Sequence, residues 1–290
     1  MDKYDHGFSS IGIVGLGLIG GSYAKAFTDK GISVYGYDKN EEILFSAVTN
    51  GCCIGVSSEF DKFINFPMDL LYICLPVDDT IDMLNTLISI NYKGYVTDST
   101  STKSTVINKV LGSELRFCGA HPIAGKESSG FYNSDKDLFY NTKHILTPVK
   151  EDDFTKRLKL LHKLIGAEVF IMDYKEHDNI FANISHLPHL LSFILVDFVL
   201  DYNDKAFKYA GGGFRDFTRI AASDPYMWQN IFIDNKDCLI KSLDIFEEKI
   251  KKWRQIIENK NKNDLYNQIY KVSLERRKLQ KYFIDKGDIR

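Results

Sequence analysis

Three groups of residues in this 290-residue chain have the types and spacing to do chemistry. The first is His121, within Gly119-Ala-His-Pro-Ile-Ala-Gly125. A histidine that ends an apolar run, followed by a rigid proline and flanked by small residues, reads as positioned. Neutral imidazole, with an ordinary pKa of about 6.5, can take an alcohol's proton near neutral pH as hydride leaves the carbon. The second group is the run Thr97-Asp-Ser-Thr-Ser-Thr-Lys103, which enters a helix. Such hydroxyls often only cap the helix, but here one of them is placed to reach substrate or cofactor. The third group joins Ser185-His-Leu-Pro-His189 to Gly211-Gly-Gly-Phe-Arg-Asp-Phe-Thr-Arg219. Pro188 is expected to break a helix and aim His186 and His189 inward. The glycines let backbone approach a ligand closely. Arg215 and Arg219 share a helical face. A guanidinium there either grips a substrate carboxylate through paired hydrogen bonds or pairs structurally with Asp216 or Asp224. No third ligand accompanies His186 and His189, so no metal is expected.

A fourth signal concerns a cofactor. Gly15-Leu-Gly-Leu-Ile-Gly-Gly21 follows the apolar run Ile11, Ile13, Val14 and opens a helical pattern. A second apolar run, Ser33 to Tyr37, ends in Asp38. Strand, glycine turn, helix, strand and acid together form the context of a dinucleotide fingerprint. Gly15 permits the tight turn, Gly17 lets backbone approach a pyrophosphate, and Gly20 lets helix pack on strand. Leu18 and Ile19 lie between them, at the helix N-terminus that faces the phosphates. Asp38 would accept from ribose hydroxyls and repel a 2′-phosphate. NAD is the expected cofactor, although Lys39 follows the acid.

These groups need a frame. Apolar runs at Ser10–Val14, Ser33–Tyr37, Leu70–Leu75, Tyr95–Thr97, Arg116–Ala120 and His144–Thr147 alternate with helical patterns. That alternation predicts an α/β, Rossmann-type, doubly wound parallel sheet over residues 1–148. Ligands of such sheets bind beyond the carboxyl ends of the strands. Residues 149–290 read as an all-α domain for substrate binding and dimerisation, after an amphipathic helix at Glu151–Ile165 and a short strand at Glu168–Met172. The helix Leu187–Leu200 is apolar around most of its circumference. A second subunit is expected to cover it, giving a homodimer. That stretch reads as too short and too polar to span a bilayer.

Bulk properties agree with a cytoplasmic enzyme acting on a small molecule. There are 37 Lys and Arg against 39 Asp and Glu, interleaved, so no basic face points to nucleic acid. Five scattered cysteines lack metal-ligand spacing and read as reduced thiols. No hydrophobic export segment is visible near Met1.

With these residues in hand, the chain closely resembles the prephenate dehydrogenase family of tyrosine biosynthesis. The likeness runs from Ile11 to about Ile245 and rests on the motifs above, with Ser223-Asp-Pro-Tyr-Met-Trp228. It implies NAD-dependent oxidative decarboxylation of prephenate to 4-hydroxyphenylpyruvate. The alternative within the family is arogenate dehydrogenation to tyrosine. By resemblance, His121 contacts the ring C4 hydroxyl and accepts its proton, and Ser101 steadies that histidine. Arg219 grips a substrate carboxylate, His189 and His186 help position the substrate, and Gly212 lines the pocket. Asp178 matches a position that orients this region. Lys126 departs from the family pattern; its charge either favours the keto-acid side chain of prephenate or points to solvent. A non-catalytic NAD sensor would have lost this chemistry, yet His121, Ser101 and Arg219 are all present.

Overall fold

The computed structural model describes residues 6–126 and 128–282. β1 (Ser10–Val14) leads through the glycine turn into α1 (Leu18–Asp29), and β2 (Ser33–Tyr37) leads into α2 (Glu41–Thr49). Asn40 starts α2 by accepting from the backbone N–H of Glu42 and Ile43. β3 (Gly55–Ser57) and the single-turn α3 (Phe60–Phe63) precede β4 (Leu70–Ile73) and α4 (Val77–Ser89). β5 (Tyr95–Asp98), α5 (Ser104–Val110), β6 (Arg116–Ile123) and β7 (Lys143–Pro148) follow, then α6 (Asp153–Leu164) and β8 (Glu168–Ile171).

The strands form one sheet in the order β3-β2-β1-β4-β5-β6-β7-β8. The order reverses at β1, which pairs with β2 on one flank and β4 on the other. A crevice at the carboxyl ends of β1 and β4 is the ligand position of such a sheet. β4 explains the layering. Leu70 and Tyr72 enter one apolar layer with α1 and α6; Leu71 and Ile73 enter the opposite layer with α4 and α5. All four side chains are fully buried, as a central parallel strand requires.

Four expectations change. The sheet is not wholly parallel, because β6 and β7 pair antiparallel. Among the described residues of their connection, Ala124 to Thr142, there is a short 3₁₀ turn at Phe131–Asn133 and no helix of a right-handed crossover. The sheet also continues past residue 148, since β8 pairs with β7. The short strand read at Glu168–Met172 therefore belongs to the sheet, with α6 as its crossover. Finally, Pro188 does not break the helix. α7 (Tyr174–Phe181) runs through a π turn (Ala182–His186) into α8 (Leu187–Asn203). Proline cannot donate to the carbonyl four residues back, and the wider turn absorbs that loss. The resulting 30-residue run is long and apolar enough, by length and composition, to cross a bilayer, contrary to the reading of Leu187–Leu200 alone.

Beyond α8 come α9 (Gly212–Thr218), a 3₁₀ turn at Arg219–Ala222, and α10 (Pro225–Asp234). Residues up to Lys236 form one unit. The second unit, from Asp237, is made of α11 (Lys236–Glu258) and α12 (Lys262–Lys278).

Candidate active site

His121 lies within β6 rather than at its end, paired with Ile145 of β7. Its side chain is buried. Nδ1 of His121 is 2.9 Å from Nε2 of His177 on α7, and Nδ1 of His177 is 2.8 Å from Oδ1 of Asp178. The Asp178 carboxylate also accepts from the backbone N–H of Lys103 at 2.8 Å and of Ser104 at 2.7 Å. A carboxylate only accepts, so His177 donates from Nδ1 and accepts at Nε2. His121 then donates from Nδ1. The relay leaves the lone pair of His121 on Nε2, the form a proton acceptor needs.

Electrostatics reinforce this. Burial, then the nearby His177, Lys103 and His186, push the His121 pKa well below 6.5. The ring is therefore neutral at pH 7. Burial opposes ionisation of Asp178, but hydrogen bonds from His177, Ser104 and Lys103 more than offset it and hold the carboxyl below its ordinary value. The anion at the far end stabilises positive charge as His121 takes up a proton.

The strand that carries His121 is completed by side chains. β5 ends at Asp98, and its last pairing with β6 is Thr97 with Cys118. Ala120 lies beyond that pairing. Asp98 Oδ1 accepts from its N–H at 3.0 Å, and Lys103 Nζ donates to its carbonyl at 2.7 Å. Lys103 and Asp98 also pair with each other at 2.5 Å, both fully buried. Thr100 donates to the same carboxylate through both N–H and hydroxyl. Removing either partner would strand a charge in the core.

The helical side is equally braced. His186 is buried, and its Nδ1 accepts from the amide of Asn235 at 3.1 Å. The same amide donates to the Asp178 carbonyl at 2.8 Å. His189 is half-buried, and its Nδ1 donates to the Ser185 carbonyl at 2.9 Å. Trp228 stacks on His189 with ring centroids 3.7 Å apart.

At the crevice, Gly15 has φ +86° and donates its N–H to the Tyr37 carbonyl. A Cβ on Gly20 would collide with the Gly15 carbonyl oxygen, so the helix packs on the turn only because Gly20 lacks one. A Cβ on Gly17 would meet nothing within 4 Å. Gly17 also precedes α1 without any side-chain cap. The free N–H groups of Leu18 and Ile19 and the open space at Gly17 suit a pyrophosphate. Asp38 accepts from Leu16 N–H at 2.8 Å and Asn40 N–H at 2.9 Å, which ties the acid to the glycine turn. Gly15, Tyr37, Asp38, Phe60, Leu75 and Met83 line part of a cavity of about 530 Å³ here, room for an adenosine.

Other expected residues stand apart from the relay. Ser101 makes no hydrogen bond to His121 among the described residues; His177 holds that ring instead. Lys126 pairs with Asp135 at 3.0 Å and the Asn133 carbonyl at 3.2 Å, so its charge is already engaged. Gly212 opens α9 with exposed backbone, and Arg219 opens the 3₁₀ turn that packs along α8, its residue exposed in the single chain. Sequence reasoning missed His177, Lys103, Asn235 and the role of Trp228. The adjacent His177-Asp178 pair at a helix start was the available signal; the contacts of the others span the fold.

The arrangement defines a class first: an oxidoreductase that binds a dinucleotide on its α/β sheet. Known proteins narrow it. Residues 23–170 match the nucleotide-binding domain of prephenate dehydrogenase, and residues 173–271 match its dimerization domain. The chain belongs to the prephenate dehydrogenase family. The prephenate dehydrogenase of Bacillus subtilis (strain 168) is 34% identical over 269 residues, 88% of this chain and 71% of that protein. A cyclohexadienyl dehydrogenase of Zymomonas mobilis is 30% identical over 88% of this chain and 90% of that protein. The crystal structure of A. aeolicus prephenate dehydrogenase in complex with hydroxyphenyl propionate and NAD+ aligns with a TM-score of 0.86 and 36% identity, covering 93% of this chain and 98% of that one. These identities fix the reaction class and leave the substrate's side chain open.

Proposed function

We propose that the chain catalyses oxidative decarboxylation of prephenate to 4-hydroxyphenylpyruvate with NAD. The observation that carries this is the neutral, buried His121, its Nε2 left open by the relay to Asp178. Prephenate is favoured over arogenate by the names of its relatives, including a second prephenate dehydrogenase, of Lactococcus lactis, at 33% identity. Lys126 does not decide the matter, because Asp135 already engages it.

Gly15, Gly17, Leu18, Ile19 and Gly20 would hold the pyrophosphate of NAD, and Asp38 the adenosine ribose. When bound, the coenzyme supplies an acceptor for the hydride of ring carbon C4. His121 Nε2 takes the C4 hydroxyl proton, and the positive charge is shared through His177 with Asp178. The C1 carboxylate departs as CO₂, its bonding electrons completing the aromatic ring and leaving a phenolate, which takes the proton back from His121 to give 4-hydroxyphenylpyruvate. The protein's share is then to orient the ring and to place charge. Arg219 grips a carboxylate, and His189, with Nε2 uncommitted, helps seat the substrate. The A. aeolicus enzyme's complex with hydroxyphenyl propionate and NAD+ supports this pairing of ligands. A homodimer through the helical part accounts for the exposed Ile194, Phe198, Leu200 and Tyr202 of α8, and the family's dimerization domain supports that cover over a lipid one.

The test is reduced-nicotinamide absorbance with prephenate or arogenate, each with NAD or NADP. Turnover of prephenate with NAD is expected, and His121→Asn should lower kcat by roughly 10²–10⁴-fold with NAD affinity retained. Turnover of arogenate alone, or an unchanged kcat in the variant, would overturn the reading.

A further inference from the structure

Trp228 sits in the first turn of α10, which Asp224 caps through Met227 N–H and Pro225 begins. Its indole lies flat on the His189 imidazole, 3.7 Å between centroids and 23° between planes. It also flanks His186 edge-on at 6.2 Å and touches Phe232. The side chain is 6% exposed, and its Nε1–H, fully enclosed, has no hydrogen-bond partner among the described residues. A buried donor without an acceptor is unfavourable, so the indole sits here at a cost that phenylalanine, which fills less of the space, would not carry.

We propose that Trp228 is a positioning residue for the substrate, acting through His189. Two constraints fix that imidazole. The Nδ1 bond to the Ser185 carbonyl, inside the π turn, sets its rotation. The indole face sets its tilt. Nε2 is then the one polar atom left to meet a ligand. Nδ1 already donates, so Nε2 donates to an anionic substrate group only once the ring has taken up a proton and carries a positive charge. The electron-rich indole face supports such a charge better than benzene does. Burial otherwise works against it, lowering the His189 pKa despite the Ser185 bond. The inference rests on His189 being a substrate-seating group in the proposed reaction.

The test uses the full chain with Trp253→Phe, which leaves Trp228 as the one indole. Its emission should titrate with His189, quenched as the stacked imidazole takes a proton, and the titration should vanish in His189→Asn. In kinetics, Trp228→Leu should raise KM for prephenate roughly 3- to 30-fold, the range of a cation–π contact. kcat and KM for NAD should change less than about twofold, within the scatter of a remote substitution. Trp228→Phe should give an intermediate KM with thermal stability equal or higher, which separates positioning from folding. A titration that persists in His189→Asn, or a prephenate KM unmoved in Trp228→Phe and Trp228→Leu, overturns the proposal. Failure of the parent to turn over prephenate would instead sink the proposed reaction, and the emission titration would still judge the stack.

Discussion

His121 and His177, 56 residues apart in sequence, meet nitrogen to nitrogen at 2.9 Å, and the contact decides which face of His121 is basic. His177→Asn should therefore lower kcat by roughly 10²-fold, the lower end of general-base effects, with KM for NAD unchanged. The pH profile gives an independent readout. A base works unprotonated, and burial foremost, then His177, holds the His121 pKa below 6.5. The acidic limb of kcat/KM should therefore lie below pH 6.5 in the parent. A parent limb at or above pH 6.5 would contradict the neutral buried ring.

Two glycines of the turn should fail differently. Gly17→Ala places its methyl in open space, so thermal stability should be retained while NAD affinity falls by tenfold or more, about 1.4 kcal/mol. Gly20→Ala drives a methyl into the Gly15 carbonyl oxygen, so it should lower Tm as well. Calorimetry with coenzyme titration checks both; equal behaviour would remove the assigned division of labour.

Arg219→Ala should raise KM for prephenate roughly 10- to 150-fold, from charge-assisted hydrogen bonds of about 1.5–3 kcal/mol. The neighbouring Arg215 is mostly exposed and lies 3.6 Å from Asp216, so Arg215→Ala should change little. Steady-state kinetics on both variants tests the assignment. Equal effects would place the carboxylate grip elsewhere.

Acid should unfold the α/β half through its core. His144 and His162 are fully buried, 4.8 Å apart between ring centroids, and among the described residues both nitrogens of His144 lack hydrogen-bond partners. Burial lowers the His144 pKa to about 3, and burial, then His144, lowers that of His162. The unfolded chain binds these protons near pH 6.5 and the folded chain does not. Stability present above pH 6.5 is thus lost as pH falls toward about 3, at about 1.4 kcal/mol per pH unit for each histidine. His144→Phe sacrifices no hydrogen bond and should flatten the slope of Tm against pH; an unaltered slope would contradict it.

Much of this was legible in sequence because it is local. The glycine turn, Asp38, the buried run at Leu70–Ile73 and the helix at Glu41–Thr49 are each set within a dozen residues. β3 and α3 escaped notice because three or four residues carry no period. The π turn escaped because a proline signals a lost hydrogen bond but not how the chain compensates. The partners of His121 and Ala120 escaped because tertiary packing alone brings α7 to β6 and the Lys103 ammonium to the Ala120 carbonyl.

The Lys103–Asp98 pair has one more consequence. Dissolved ions cannot enter around two charges that expose no surface, so they cannot weaken that attraction. The exposed Arg219 has no such shelter. A salt series should therefore erode affinity for an anionic substrate while leaving the rate at saturation nearly flat, dissolving the enzyme's grip without disturbing its aim.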